Sequence, residues 1–172
     1  MAEPKLQPLK QWYCDTCNGI IQQPDQGYLE WRDKEVGSGE NRRRVMYGFR
    51  IVHQFMYSPY KETPGRDGCY YSRGERGGDL DLPWVLGTQG LIEAANWIDL
   101  GSAWDEKYRG PEVEDLREWA VIFRRLHLPY YEEARPYLEQ AKAGVEFGDN
   151  NEVSFYLPDT LKEIIKYYTE EQ

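Results

Sequence analysis

The chain has 172 residues, 30% of which are charged, and it contains 14 Tyr, 6 Trp and 5 Phe. This length suits a single domain, or one domain with a small appended module, and the aromatic content argues against intrinsic disorder. No segment approaches the roughly 20 apolar residues of a membrane helix, and MAEPKLQPLKQ at the start lacks the apolar core of a secretory signal. We therefore expect a cytoplasmic protein with no membrane partner.

The net charge of −9 is unevenly distributed along the chain. Residues 1–82 contain 12 basic and 12 acidic side chains, whereas residues 111–172 contain 7 basic and 14 acidic ones. An acidic half repels nucleic acid and anionic membranes, so this distribution disfavours such partners. The more ordinary interpretation is that these charges keep a helical surface soluble.

The N-terminal half has the composition of a β-rich module. QWYC predicts a short strand, and GYLEW (27–31) and VMYGFRIVHQF (45–55) predict an antiparallel pair joined by a long polar connection. Proline and glycine predict a loop over 58–68, after which GCYYS (68–72) is expected to form a third short strand. RGERGGD (73–79) predicts a further open loop.

The pattern becomes helical from Leu82 onward. Pro83 suits a first helical turn, and a helix over TQGLIEAANWIDL (88–100) is expected to bury one apolar face. That face comprises Leu91, Ile92, Ala95 and Ile98. A linker-like stretch follows at 101–111.

Three further helices are predicted in the C-terminal half. The clearest ends at Pro129, and its apolar stripe comprises Val113, Leu116, Trp119, Ala120, Ile122, Phe123 and Leu126. The next is expected to carry Ala134, Leu138, Ala141 and Val145. EVSFYLP (152–158) has strand character. A last helix, capped by Asp159 or Thr160, has an apolar face made of Leu161, Ile164, Ile165 and Tyr168.

Together these elements predict an α+β fold. Residues 1–80 are expected to form a small antiparallel β module that resembles a zinc ribbon and is stabilised by zinc. We expect this module to pack against a mainly helical part, residues 81–172. Both parts are rich in aromatic residues, which favours one packed unit over two modules joined by a flexible linker.

A metal site is predicted by the stretch WYCDTCNGII near the start of the chain. Its two cysteines, Cys14 and Cys17, form a C-x-x-C pair that can point both sulfurs at one ion. Asn18 and Gly19 follow at once, and these residue types tolerate the left-handed backbone that such a turn requires. Backbone N–H groups in this turn can also face the thiolates and stabilise their charge.

Zinc needs two further ligands to complete a tetrahedron. His53 ends a predicted strand, where a ligand can be aimed well, and Cys69 follows a glycine-bearing loop in the same module. The resulting Cys3His set uses every cysteine of the chain and has a composition common in structural sites. We therefore expect structural Zn²⁺ bound by Cys14, Cys17, His53 and Cys69.

Other interpretations of the C-x-x-C pair remain open. A thioredoxin-like redox motif would open a helix, whereas NGIIQQPDQG, which follows Cys17, is a poor helix former. A nucleophilic cysteine would need a histidine partner that is not occupied by zinc. The three cysteines could also be ordinary packed core residues.

A basic segment offers a nucleic-acid-binding alternative. Arg42, Arg43 and Arg44, with Arg50, precede several tyrosines, and arginine with aromatic side chains is what a single-stranded nucleic-acid surface uses. The charge of this half sums to zero, however, so each arginine could be paired with an acidic neighbour.

Six motifs follow one another along the chain: WYCDTC, GYLEW, GFRIVH, CYYS, LREWAVIFRRLHLPYYEEARPYL and EVSFYLP. In this order they resemble a group of uncharacterised bacterial proteins with an N-terminal CxxC module similar to a zinc knuckle. The resemblance spans nearly the whole chain and implies that the β module and the helical part belong to one architecture. It carries over no activity and no catalytic residue.

The sequence thus predicts a non-catalytic structural-zinc protein that acts in protein interaction or regulation. Its partner is expected to be another protein, bound through the aromatic and acidic helical half. A nucleic-acid-binding zinc-ribbon regulator is the first alternative, and an enzyme of unrecognised mechanism is the second. No H-E-x-x-H motif is present, and four protein ligands would leave no position for a catalytic water.

Overall fold

The structure, a computed structural model, describes residues 6–72, 74–98, 112–148 and 151–170. Within these ranges it combines antiparallel strands in the first half with helices in the second, which confirms the α+β class. The linker-like stretch predicted at 101–111 lies outside the described residues.

Two small antiparallel strands frame the C-x-x-C loop. β1 (Trp12–Tyr13) confirms the strand predicted in QWYC, and β2 (Ile20–Ile21) returns beside it. Trp12 pairs with Ile21, and Tyr13 pairs with Ile20. The six residues between the strands therefore form a closed loop that contains both cysteines.

A long hairpin forms the centre of the larger sheet. β3 (Gly27–Val36) and β4 (Arg43–His53) are antiparallel, as predicted, but they extend well into the predicted polar connection. β5 (Gly78–Asp81) pairs with β3, and β6 (Glu112–Val113) pairs in parallel with β4. Among the described residues the order in this sheet is β5-β3-β4-β6.

The segment GCYYS does not form the predicted strand. Gly68 adopts a left-handed φ of 66°, and the Tyr71 N–H donates to the buried Glu30 carboxylate at 3.2 Å. A side chain thus takes the acceptor role that a neighbouring strand would have. The third strand, β5, instead lies at Gly78–Asp81 and overlaps the predicted loop. Leu80 of β5 lies opposite Leu29 of β3.

Carboxylates close the outer edge of β4 beyond the short β6. The Phe49 N–H donates to the Glu118 Oε1 at 2.7 Å, and the Ile51 N–H donates to the Asp15 Oδ2 at 2.7 Å. The Asp15 N–H donates in turn to the Ile51 carbonyl at 2.9 Å. Buried backbone donors need partners, and here side chains provide them in place of a further strand.

The helices within the described ranges are α1 (Gly87–Asn96), α2 (Leu116–His127), α3 (Tyr131–Ala134), α4 (Leu138–Ala143), α5 (Val145–Gly148), α6 (Glu152–Phe155) and α7 (Pro158–Glu170). Short 3-10 turns lie at Phe55–Tyr57, Leu82–Val85 and Arg135–Tyr137. The last of these contains Pro136 and divides the single helix predicted between Ala134 and Val145 into shorter ones.

The predicted inward face of α1 was wrong. Leu91, Ile92 and Ile98 are exposed, whereas Gly90 and Ala94 are buried. A Cβ atom at Gly90 would lie only 2.1 Å from the Val85 carbonyl carbon. The helix therefore presents its smallest residues to the core because its backbone approaches the preceding turn closely.

The predicted strand in EVSFYLP was also wrong, since this segment begins with α6. The Asn151 side chain accepts the Ser154 N–H at 2.8 Å and caps this single helical turn. A local cap of this kind outweighs the β propensity of Val153 and Phe155. The following helix, α7, confirms the predicted apolar face, with Leu161 and Ile164 buried. The predicted cap was wrong, because the helix begins at Pro158 and places Asp159 and Thr160 in its first turn.

Two hydrophobic clusters fill the interior of the described residues. The first joins both sheets to α1 and α2, and its largest members include Trp12, Leu29, Ile51, Leu82, Trp119 and Leu126. The second lies among the later helices and includes Tyr131, Leu138, Phe155, Leu161 and Ile164. Within the described ranges, no helix has both the length and the apolar composition that a bilayer crossing requires.

Candidate metal centre

Three separate segments bring four potential metal ligands to one point. Cys14 and Cys17 come from the loop between β1 and β2, His53 ends β4, and Cys69 lies in the loop before β5. One ligand atom from each residue lies within 4.8 Å of every other. The four residues that the sequence placed in one set therefore do lie together.

The C-x-x-C turn has the hydrogen bonds of a compact knuckle. The Cys14 N–H donates to the Gly19 carbonyl at 2.8 Å, and the Asn18 N–H donates to the Cys14 carbonyl at 2.9 Å. Asn18 has the left-handed φ of 57° that its residue type predicted. Gly19 serves a different need, because a Cβ atom there would lie 3.3 Å from the Cys17 Sγ.

His53 presents one ring nitrogen to the sulfurs and the other to the backbone. Its Nδ1 lies 3.4 Å from the Cys17 Sγ and 4.0 Å from the Cys69 Sγ. These separations bracket the ~3.5 Å between sulfur and nitrogen that tetrahedral zinc distances imply. Its Nε2 lies 3.3 Å from the Ile20 carbonyl and can donate to it, which leaves the Nδ1 lone pair free for a metal.

The three cysteines of the chain all lie in the described ranges, and all are free thiols. The hydrogen bond from the Cys69 thiol lowers the pKa of Cys14, and the same contact raises the pKa of Cys69. Burial raises the pKa of Cys17. One thiolate is thus favoured in isolation, whereas three adjacent thiolates require a cation to balance their charge.

Ser58 extends the centre beyond the four candidate ligands. Its Oγ lies 3.1 Å from the Cys69 Sγ, and the side chain is buried. The Tyr60 N–H donates to the same Oγ at 3.0 Å, so the hydroxyl hydrogen is available for the sulfur. A serine in a loop rich in proline and glycine carries no sequence signal for this role, so Ser58 was not predicted.

Asp15, between the two knuckle cysteines, connects the centre to the helices. Besides accepting the Ile51 N–H, its Oδ2 accepts a hydrogen bond from the Arg125 Nη1 at 2.6 Å. Arg125 also forms a two-bond pair with Glu132, at 2.8 and 3.0 Å. Both Arg125 and Glu132 are only 3% exposed, so this is a buried ion-pair network.

The four arginines of the nucleic-acid alternative do not form one patch. Arg42, Arg43 and Arg44 lie at the closed end of the hairpin, and Arg50 lies six residues farther along β4, about 20 Å away at ~3.3 Å per residue. Each has a carboxylate partner: Glu35 for Arg42, Glu112 for Arg43, Asp33 for Arg44 and Glu30 for Arg50. These pairs reduce the positive charge that a phosphate backbone would meet.

Comparison with protein-family models, with curated proteins and with solved structures finds no match to this chain. The Cys/His cluster that could hold a metal ion is therefore the feature on which a functional argument rests.

Proposed function

We propose that Cys14, Cys17, His53 and Cys69 bind one structural Zn²⁺ ion. The observation that carries the proposal is the convergence of three sulfurs and one imidazole nitrogen within 4.8 Å from three separate segments. Thiolate and imidazole ligands together favour zinc over magnesium or calcium, which prefer oxygen. Four protein ligands complete a tetrahedron, so the ion would hold the fold together rather than activate water.

The surroundings of the cluster support this assignment. His53 has a backbone acceptor for its second nitrogen, Cys69 has a hydroxyl donor, and the Gly19 N–H points to the Cys17 Sγ at 3.4 Å. Such outer contacts orient ligands and stabilise thiolate charge in zinc sites. Free, clustered thiols also suit a reducing compartment, which supports a cytoplasmic location.

For the protein as a whole we propose a non-catalytic role in protein interaction or regulation. The acidic C-terminal half exposes several apolar side chains, among them Leu116 (59% exposed), Val153 (77%) and Leu157 (50%). Apolar side chains at the surface can act as anchors for a protein partner. Negative charge on this half supports a protein partner over a polyanion.

Metal analysis of freshly purified protein tests the zinc proposal. We expect close to one zinc per chain in protein prepared without chelators, and loss of that zinc in the Cys14→Ser/Cys69→Ser double variant. Ser38→Ala is a matched control, because this serine is exposed in the hairpin connection. Absence of zinc from the native chain, or full retention by the double variant, would refute the assignment.

A further inference from the structure

Two adjoining hollows lie beside the loop that carries Cys69. The smaller, the arginine hollow, has a volume of 280 Å³ and is lined by Arg32, Arg50, Arg66, Tyr71 and Glu75, among others. The larger, the aromatic hollow, has a volume of 770 Å³ and is lined by Phe55, Tyr70, Arg76 and Asp79, among others. Both include Asp67, Tyr70 and Tyr71, so they share a wall. Their volume is that of a small-molecule site.

Arg66 offers an available cation to the arginine hollow. Its side chain is exposed, and its guanidinium carbon lies 4.2 Å from the centroid of the Tyr60 ring. No carboxylate of the described residues forms an ion pair with it. A guanidinium stacked on a ring keeps its in-plane N–H donors available, and these donors match the oxygens of a phosphate.

Arg32 brings a second guanidinium to the same hollow. Its side chain is 31% exposed, and its Nη2 pairs with Glu75 at 2.9 Å. The guanidinium is held 4.0 Å from the Tyr71 ring centroid, and Arg50 lies 3.4 Å from the same centroid. A phosphate oxygen can compete with the exposed Glu75 carboxylate for this guanidinium.

The aromatic hollow suits a planar, hydrogen-bonding ring. The Phe55 N–H donates to the Tyr70 hydroxyl oxygen at 2.9 Å, which ties together two aromatic residues that line the space. Rings of this kind stack on nucleobases irrespective of base identity. Asp79 lines the same hollow; its Oδ2 pairs with Arg76 at 3.1 Å, and its other carboxylate oxygen can accept a hydrogen bond from an exocyclic amino group.

We propose that the two hollows bind a nucleoside phosphate. The phosphate group lies against Arg66 and Arg32, and the base lies against Phe55 and Tyr70. A mononucleotide carries about two charges, so long-range repulsion from the acidic half affects it far less than it affects a polyanion. The site uses none of the four candidate zinc ligands, and its occupancy is therefore testable separately from the metal assignment.

Isothermal titration calorimetry of the full-length, metal-loaded chain tests this proposal. The probes are AMP, GMP, CMP and UMP, with the four nucleosides and inorganic phosphate as partial ligands. We expect saturable binding of at least one monophosphate, at least tenfold tighter than its nucleoside or phosphate alone. Arg66→Gln should weaken this binding at least tenfold. Arg42→Gln, at the far end of the hairpin, should leave it unchanged.

Glu75→Gln should strengthen nucleotide binding, whereas Arg66→Gln should weaken it. Glu75 is 56% exposed, so the change should not disturb folding, and it removes a negative charge that competes with phosphate for Arg32. We expect severalfold tighter binding, which a purely structural role of the arginines would not produce. Absence of saturable binding at millimolar nucleotide, an equal loss in Arg42→Gln, or an unchanged affinity in Glu75→Gln would overturn the proposal.

A nucleoside phosphate can come from a free nucleotide or from the end of a nucleic-acid strand. Competition with a 5′-phosphorylated dinucleotide distinguishes these two sources. Tenfold tighter binding of the dinucleotide assigns the site to the end of a nucleic-acid strand. Equal or weaker binding assigns it to free nucleotides. Both results support a nucleoside phosphate in the hollows.

Discussion

At the residue scale, the candidate metal centre includes a hydroxyl group that is not itself a ligand. The Ser58 Oγ lies against the Cys69 Sγ and accepts the Tyr60 N–H. If Cys69 binds a metal as a thiolate, the hydroxyl is the donor of this contact, and a hydrogen bond to a thiolate lowers its charge density without displacing it from the metal. We therefore expect Ser58 to contribute to zinc binding through Cys69.

Ser58→Ala should weaken zinc binding by roughly 10- to 100-fold, the range seen when such outer contacts are removed. The affinity is measured by competition with a chromophoric chelator. Ser38→Ala, in an exposed connection, should retain the native affinity. An affinity of Ser58→Ala equal to that of the control would show that the hydroxyl does not act on the metal.

The Cys/His cluster was predictable from the sequence because its residue types are scarce in this chain. The chain has only three cysteines, and His53 lies in the same β-rich half, so few combinations complete a tetrahedron. Asn18 was predictable as well, since few residue types tolerate its backbone. Ser58 and Asp15 were not, because their roles depend on which distant segments fold against them.

At the element scale, Arg125 joins α2 and α3 to the C-x-x-C loop. From α2 it donates to Glu132 in α3, to Asp15 in the loop, and to the Tyr13 carbonyl in β1 at 3.1 Å. Removing one partner of a buried ion pair leaves an uncompensated charge. The network therefore couples these elements more strongly than their apolar contacts alone.

Arg125→Met should lower the free energy of unfolding by about 3–5 kcal/mol, because Glu132 and Asp15 lose a buried partner. Urea denaturation of the zinc-saturated protein measures the change. Arg117→Met, an exposed position on the same helix, should shift stability by less than about 0.5 kcal/mol. Adding Glu132→Gln to Arg125→Met should recover part of the loss, since the Glu132 carboxylate then keeps only Arg135 as an ion-pair partner. A cost for Arg125→Met no larger than that of Arg117→Met would contradict this role.

Helices and paired strands were predictable where periodicity and burial agree, as in the β3–β4 hairpin and α7. The predicted buried face of α1 was wrong because a close backbone approach outweighs side-chain hydrophobicity there. Gly90 brings α1 against Val85 and turns Leu91 and Ile92 outward. Such an approach depends on tertiary contacts that a one-dimensional pattern does not contain.

At the scale of the whole molecule, the metal centre belongs to only one of the two hydrophobic clusters. Cys14 and Cys69 are members of the first cluster, which also includes Trp119 of α2. The second cluster is built from helices after His127. The two should therefore respond differently to loss of the ion.

Removal of zinc by a chelator should release the first cluster and leave the second protected. Structural zinc in finger peptides contributes about 10–16 kcal/mol of apparent binding energy, and that energy is folding energy. Hydrogen–deuterium exchange should show faster exchange in β1 to β4 and α2, with slower exchange retained in α4 and α7. Added zinc should restore the native pattern. Uniform exchange across both clusters after chelation would show that the chain unfolds as a single unit.

The carboxylate that closes β4 comes from the same loop that holds two candidate ligands. If the knuckle opens, Asp15 leaves the Ile51 N–H, and a strand rich in valine, isoleucine and aromatic residues acquires an uncovered edge. An uncovered edge is a template for pairing with another chain and so for aggregation. Occupancy of the proposed zinc site would then protect the protein against self-association, and zinc-depleted protein would aggregate before α4 and α7 had lost their structure.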